Sequence, residues 1–93
     1  MAEIMYRDAL RQAIFEEMEK DPTVFIMGEG IAGRGGSYKV TEGLLKEFGS
    51  GRVVDTPLSE ATFTGAAVGA ALVGMRPIVE ILFVDFTALV MDQ

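Results

Sequence analysis

The stretch from Asp55 to Met75 constrains the fold most. It opens Asp55-Thr56-Pro57-Leu58-Ser59-Glu60, and that last carboxylate stands at the mouth of fifteen uncharged residues, Ala61 to Met75. Proline disfavours a helical conformation at the residue before it, so the chain arrives extended at Thr56 and turns. From Glu60 onward the small residues predict a helix packed closely on all sides. Glu60 then lies at the edge of an apolar core, where burial and neighbours set its protonation. From local sequence alone it also reads as a charge complementing the dipole of a helix N-terminus. The run falls short of the roughly 20 apolar residues that cross a bilayer. The Gly65-x-x-x-Gly69 spacing therefore predicts close packing in a soluble core, with no membrane span.

The flanking segments alternate in period. Residues 6–20 read as an amphipathic helix, with Leu10, Ala13, Ile14 and Met18 at helical spacing and Asp21-Pro22 as its end. Val24-Phe25-Ile26-Met27 is a continuous apolar run, short enough for a strand buried on both faces. The pattern then predicts a helix over 39–48 stopped by Gly49, a strand at Arg52–Asp55, the Ala/Gly helix, a strand at Pro77–Phe83, and the start of a helix over 85–93. Strands alternating with helices imply an α/β fold with a parallel sheet and crossover helices. Three strands are few for such a sheet, and Phe83, Val84, Phe86, Leu89, Val90 and Met91 lack obvious burial partners. The expectation is residues 1–93 of an incomplete domain within a longer chain.

Composition narrows the function. The 93 residues make one domain at most, and 49% hydrophobic content exceeds what so small a core hides, which predicts a surface buried by a partner. A net charge of -6 with scattered basic residues argues against nucleic acid. Without cysteine or histidine there is no thiolate or imidazole chemistry. A metal site would have to be all-oxygen, and the acids show no such loop spacing, so none is expected. The N-terminus is charged from Glu3 and does not read as a signal peptide, so a cytoplasmic location is expected.

Gly28-Glu29-Gly30-Ile31-Ala32-Gly33 matches the dinucleotide-binding pattern and follows a predicted strand, which makes a dinucleotide-binding module the chief rival reading. Arg34-Gly35-Gly36-Ser37 follows, and its glycines disfavour the helix that would have to receive a pyrophosphate. Glu29 would also bring negative charge beside it. A flexible surface or interface loop is the plainer reading, and a non-catalytic interaction domain is the second rival.

Several stretches together resemble the β chains of thiamine-diphosphate-dependent 2-oxoacid dehydrogenase first components, the decarboxylating components of the pyruvate, branched-chain 2-oxoacid and acetoin dehydrogenase complexes. They are Tyr6-Arg7-Asp8-Ala9-Leu10-Arg11-Gln12-Ala13, Val24 to Glu29, Gly35 to Leu44, Arg52 to Glu60, Gly74 to Glu80, and Asp92-Gln93. The resemblance covers essentially the whole chain, in order. It implies the N-terminal portion of a transketolase-like pyrimidine-binding domain. It also implies an α subunit that holds the cofactor's diphosphate and Mg²⁺, a second β chain, and a lipoyl acyltransferase that accepts the acyl group. The family's active-site histidine and C-terminal domain correspond to sequence beyond Gln93. Where family members more often carry aspartate, this chain has Gly30.

The resemblance makes Glu60 the catalytic glutamate, hydrogen-bonded to ring nitrogen N1′ of the aminopyrimidine. Sharing a proton there favours the imino tautomer, whose exocyclic nitrogen removes the thiazolium C2 proton. Leu58, Leu82 and Phe86 align with positions lining the pyrimidine pocket, with Phe86 stacked on the ring, a role for which its aromatic plane is suited. Core packing is the plain alternative for Phe86. Glu29 and Asp92 match acids that line a water-filled tunnel between two active sites. The substrate stays open, although Phe83-Val84-Asp85-Phe86 stands somewhat closer to acetoin-type and general bacterial 2-oxoacid β chains.

Overall fold

The computed structural model describes residues 5–32, 39–81 and 84–93, with the backbone alone at 84–86. Three strands, β1 (Val24–Gly28), β2 (Val53–Asp55) and β3 (Arg76–Glu80), form one parallel sheet in the order β2-β1-β3. Helix α1 (Tyr6–Lys20) precedes β1, α2 (Leu44–Phe48) lies between β1 and β2, and α3 (Glu60–Leu72) joins β2 to β3. The chain steps outward from β1 to β2, then returns across β1 to reach β3. Right-handed crossovers in opposite directions send their helices to opposite faces of the sheet.

The core follows that division. Val24, Ile26, Val53 and Ile78 pack with Met18 of α1 and Leu44 of α2, whereas Phe25, Met27, Val54 and Val79 pack with Phe63 and Ala67 of α3. Alternate residues of each strand thus serve opposite layers, which is why β1 reads as an unbroken apolar run.

Two polar devices hold the first layer. Asp21 Oδ1 accepts from the Thr23 amide at 2.9 Å and its hydroxyl at 2.7 Å, closing the turn that ends α1. These bonds hold the Asp21 carboxyl below its ordinary range. Arg52 Nη2 donates to the carbonyls of Met18, Asp21 and Val24 at 2.6, 2.8 and 2.8 Å, and its guanidinium lies 5.0 Å from the centre of the Phe48 ring. One side chain therefore ties the end of α1, the start of β1 and the end of α2 together.

Four sequence expectations are corrected. The helix expected over 39–48 begins only at Leu44, because Lys39 (φ 62°) and Gly43 (φ 87°) take left-handed conformations that break a right-handed helix. Thr41, buried, donates instead to the Ile31 carbonyl at 2.9 Å, while Gly49 stops the helix as expected. β3 ends at Glu80, so Ile81 lies beyond the ladder; Leu82 and Phe83 lie outside the described residues. The final segment is a 3-10 helix, Val84–Leu89, followed by turns, and not the start of an α-helix. Finally, α3 is covered on one face only. Phe63 and Ala67 are buried, but Leu72 and the following Val73 are 82% and 81% exposed, because a three-strand sheet gives the helix a single layer to pack on.

The glycine-rich stretch does not open a helix where it is described. Glu29 to Ala32 form turns, with Gly30 at φ 67°. The Ala32 amide donates to Asp55 Oδ1 at 2.7 Å, and Ile31 is fully buried in the first core layer. A pyrophosphate-binding helix would have to begin within this run. The dinucleotide reading lacks that support; Gly33 to Tyr38 lie outside the described residues.

Candidate active site

In an open parallel sheet, ligands bind outside the carboxyl ends of the strands, where neighbouring connections leave in opposite directions. Here that point lies beyond Gly28, Asp55 and Glu80, the ends of β1, β2 and β3, which are aligned in register. Gly28 closes the floor of this edge. A Cβ there would meet the Glu80 carbonyl at 2.9 Å and the Ile31 side chain at 3.2 Å, so only glycine fits between β1 and β3.

Glu29 follows Gly28 directly and is 4% exposed. Neither of its carboxyl oxygens has a hydrogen-bond donor. Its pKa is pushed up to about 7, first by burial and then by the neighbouring Glu60 carboxyl. Two facing carboxylates are both acceptors, and only a retained proton lets one donate to the other. Near neutral pH the Glu29 carboxyl is therefore poised between its protonated and ionised forms.

Glu60 is the first residue of α3, positioned by the turn after Pro57, in which the Ser59 amide donates to the Pro57 carbonyl at 2.8 Å. Ser59 makes no side-chain cap; its hydroxyl donates to Thr62 Oγ1 at 2.8 Å. The N-terminal end of the helix dipole thus lies at Glu60 without a side-chain cap. Helical spacing sets Glu60, Phe63, Thr64 and Ala67 on the face that carries the buried Phe63 and Ala67.

Of the residues expected to form a site, Glu60 and Glu29 are brought together. Leu58 is 80% exposed in the turn before α3. Asp92 is exposed in the C-terminal turn, beside Gln93, whose side-chain oxygen lies over Gly65 of α3. Leu82 and the side chain of Phe86 lie outside the described residues. Sequence reasoning missed Thr56 and Thr64, whose hydroxyl oxygens are buried without partners at the end of β2 and one turn into α3. Spacing four residues after Glu60 was the available signal for Thr64. It also missed Glu80, half-buried at the end of β3, whose carboxyl is raised by that burial.

Two open depressions of about 380 and 400 Å³ lie elsewhere, one lined by Glu17, Asp21, Met75 and Arg76 and the other by Met5, Tyr6, Leu10 and Val40. Neither contains the acid pair. Among the described residues no group of three or more potential metal ligands occurs, and no helix is long and apolar enough to cross a membrane.

A parallel sheet with helices on both faces, carrying the buried Glu29 beside the half-buried Glu60 at its carboxyl edge, defines an α/β domain with a candidate acid site. The family described as transketolase, pyrimidine binding domain matches residues 2–93, and the chain belongs to that family. It is 50% identical over its whole length to the pyruvate dehydrogenase E1 component subunit beta of Chaetosphaeridium globosum, and 53% identical over its whole length to that of Rhizobium meliloti. Over 98% of its length it is 50% identical to the mitochondrial subunit beta-1 of Arabidopsis thaliana. It spans 28%, 20% and 25% of these relatives.

Proposed function

We propose that this chain is the N-terminal portion of a thiamine-diphosphate-dependent 2-oxoacid dehydrogenase β subunit, and that Glu60 is the carboxyl that works on the cofactor's aminopyrimidine. The observation carrying this reading is the pairing of Glu60 with the buried, donor-less Glu29 at the sheet's carboxyl edge, in a chain of the pyrimidine-binding family. Beside Glu60, the Glu29 carboxyl is held close to its balance point and gives up and regains a proton at neutral pH, which suits general acid–base work on a ring nitrogen.

The donor set fits the cofactor's pyrimidine end. It offers carboxyl oxygens and unspent hydroxyls, suited to ring and amino nitrogens, and no basic cluster of the kind that grips a diphosphate. Thiamine diphosphate, when bound, supplies the electron sink that decarboxylation of a 2-oxoacid needs. Glu60 would hold and exchange a proton at ring nitrogen N1′, and Glu29 would keep that proton within the pair. Leu58, Leu82 and Phe86 would line the ring, and Asp92 would extend the acidic path. An α subunit would hold the diphosphate and Mg²⁺. A second β chain and a lipoyl acyltransferase would complete the assembly, in the cytoplasm. Relatives of about 50% identity are named pyruvate dehydrogenase, which favours pyruvate over branched-chain or acetoin substrates.

The test is Glu60→Gln in the full-length β chain assembled with its α partner. Pyruvate decarboxylation should fall by about 10²-fold or more while the complex still assembles. Unchanged turnover would overturn the role of Glu60, and preference for a branched-chain 2-oxoacid would overturn the substrate assignment.

A further inference from the structure

Glu29 has no bond of its own to hold it: it is buried, and neither carboxyl oxygen has a hydrogen-bond donor among the described residues. Its place is set by the backbone on either side. The Thr56 amide donates to the Gly28 carbonyl at 3.0 Å, and Asp55 Oδ1 accepts from the Ala32 amide at 2.7 Å. The turn that carries Glu29 is therefore closed at both ends by two consecutive residues at the end of β2. Between those anchors the chain reverses at Gly30 (φ 67°), and Ile31 sinks into the first core layer, its carbonyl accepting from Thr41. The same segment continues through Pro57 to Glu60, five residues after Asp55. One short stretch thus grips the turn bearing one acid and presents the other, whose carboxyl bears on Glu29. Of the two grips, the Thr56 amide is a backbone group that any residue but proline supplies, whereas the other depends on the Asp55 side chain.

We propose that Asp55 is a positioning residue for the acid site, its carboxylate holding the Glu29–Ala32 turn by the Ala32 amide and so fixing where Glu29 stands against Glu60. The inference rests on the reading of Glu60 given above and deepens it. A carboxylate that accepts from a backbone amide makes a short, strong bond. Placed three residues from Glu29, that bond restrains the turn without touching the reacting groups. Without it the turn is held only at Gly28 and Ile31, and Glu29 gains freedom to swing toward water. The titratable groups around Glu29 are Glu60 on α3, Asp55 itself, Glu80 at the end of β3 and Asp92 in the C-terminal turn. All are acids, so none of them holds Glu29 as a counter-charge.

The experiment compares Asp55→Ala, Asp55→Asn, Glu29→Gln and the parent as full-length β chains assembled with the α partner. Alanine and asparagine both remove the charge, but only asparagine keeps an oxygen that can accept from the Ala32 amide. Two quantities are read: the melting temperature between pH 5 and 8, and kcat and KM for decarboxylation. Burial raises the Glu29 carboxyl to about 7, so the parent should lose stability as pH rises through that value. Alanine should flatten that loss toward the Glu29→Gln line and lower kcat by about tenfold, with the KM for the 2-oxoacid unchanged; asparagine should keep both close to the parent. A parent-like slope or a parent-like kcat in the alanine variant would overturn the proposal, as would an asparagine variant that behaves as alanine does. If alanine prevents assembly, Asp55→Ser, whose hydroxyl stops short of the amide, is read in the same way. Glu60→Gln is run alongside: an active Glu60→Gln complex sinks the underlying function, whereas an inactive one with Asp55→Ala at parent values sinks only the role of Asp55.

Discussion

At the scale of single residues, the chain stores a conflict in Glu29. Its pKa in the folded chain, about 7, lies above the ordinary value of 4.5. Between those values the folded state binds more protons than the unfolded one, so stability falls as pH rises. The contribution is fully present below about pH 4.5 and is lost once pH passes 7. At 1.36 kcal/mol per unit it amounts to about 3 kcal/mol at most. Glu80 is raised as well and adds in the same direction. Asp21 works oppositely: its lowered carboxyl stabilises the fold above its unfolded value of 3.8 and ceases to as pH falls through the folded one. The full-length assembly carrying Glu29→Gln should therefore melt higher than the parent at pH 8 and show a flatter melting temperature between pH 5 and 8. A parent slope retained in the variant would show that Glu29 is not the source. Family resemblance marks Glu29 and Glu60 as candidate site acids. Their proximity, and the burial of Glu29, were not legible, because they depend on two segments far apart in sequence meeting at one sheet edge.

At the scale of elements, two residues hold the site edge and its supporting layer. Gly28→Ala would drive a methyl to within 2.9 Å of the Glu80 carbonyl, forcing β1 and β3 apart just where Glu29 begins. Overpacking of this kind costs about 1–3 kcal/mol, read as a lowered denaturant midpoint. Arg52→Met keeps the aliphatic stem but removes the donor from three carbonyls; hydrogen bonds to charged groups suggest a loss of about 2–3 kcal/mol. Unaltered unfolding curves would contradict either claim. Helix α1, strand β1 and the start of α3 were readable because apolar period, the Asp21-Pro22 stop and the Pro57 turn all agree. The start of α2 was not, because Val40 and Leu44 suit a helix while the left-handed Lys39 and Gly43 interrupt it. Such backbone reversals are decided by what the loop must reach, here the bond from Thr41 to the Ile31 carbonyl.

At the scale of the whole molecule, the chain is a thin sheet with one well-covered layer and one partly covered helix. Val68, Leu72 and Val73 form an apolar flank on and just beyond α3 that faces outward. Part of the excess of apolar residues seen in the composition is thus located on this flank. With one carboxyl pair and no basic cluster for a diphosphate among the described residues, the chain by itself should show no decarboxylase turnover, and a purified sample that turned over pyruvate would contradict that. On the proposed function, Glu60 activates the cofactor. The most direct measurement of that step is the rate of deuterium exchange at the C2 position of thiamine diphosphate bound to the assembled α/β complex, read by NMR after acid quench. Glu60→Gln should slow that exchange by about 10²-fold or more while the cofactor remains bound; an exchange rate equal to that of the parent would contradict the account.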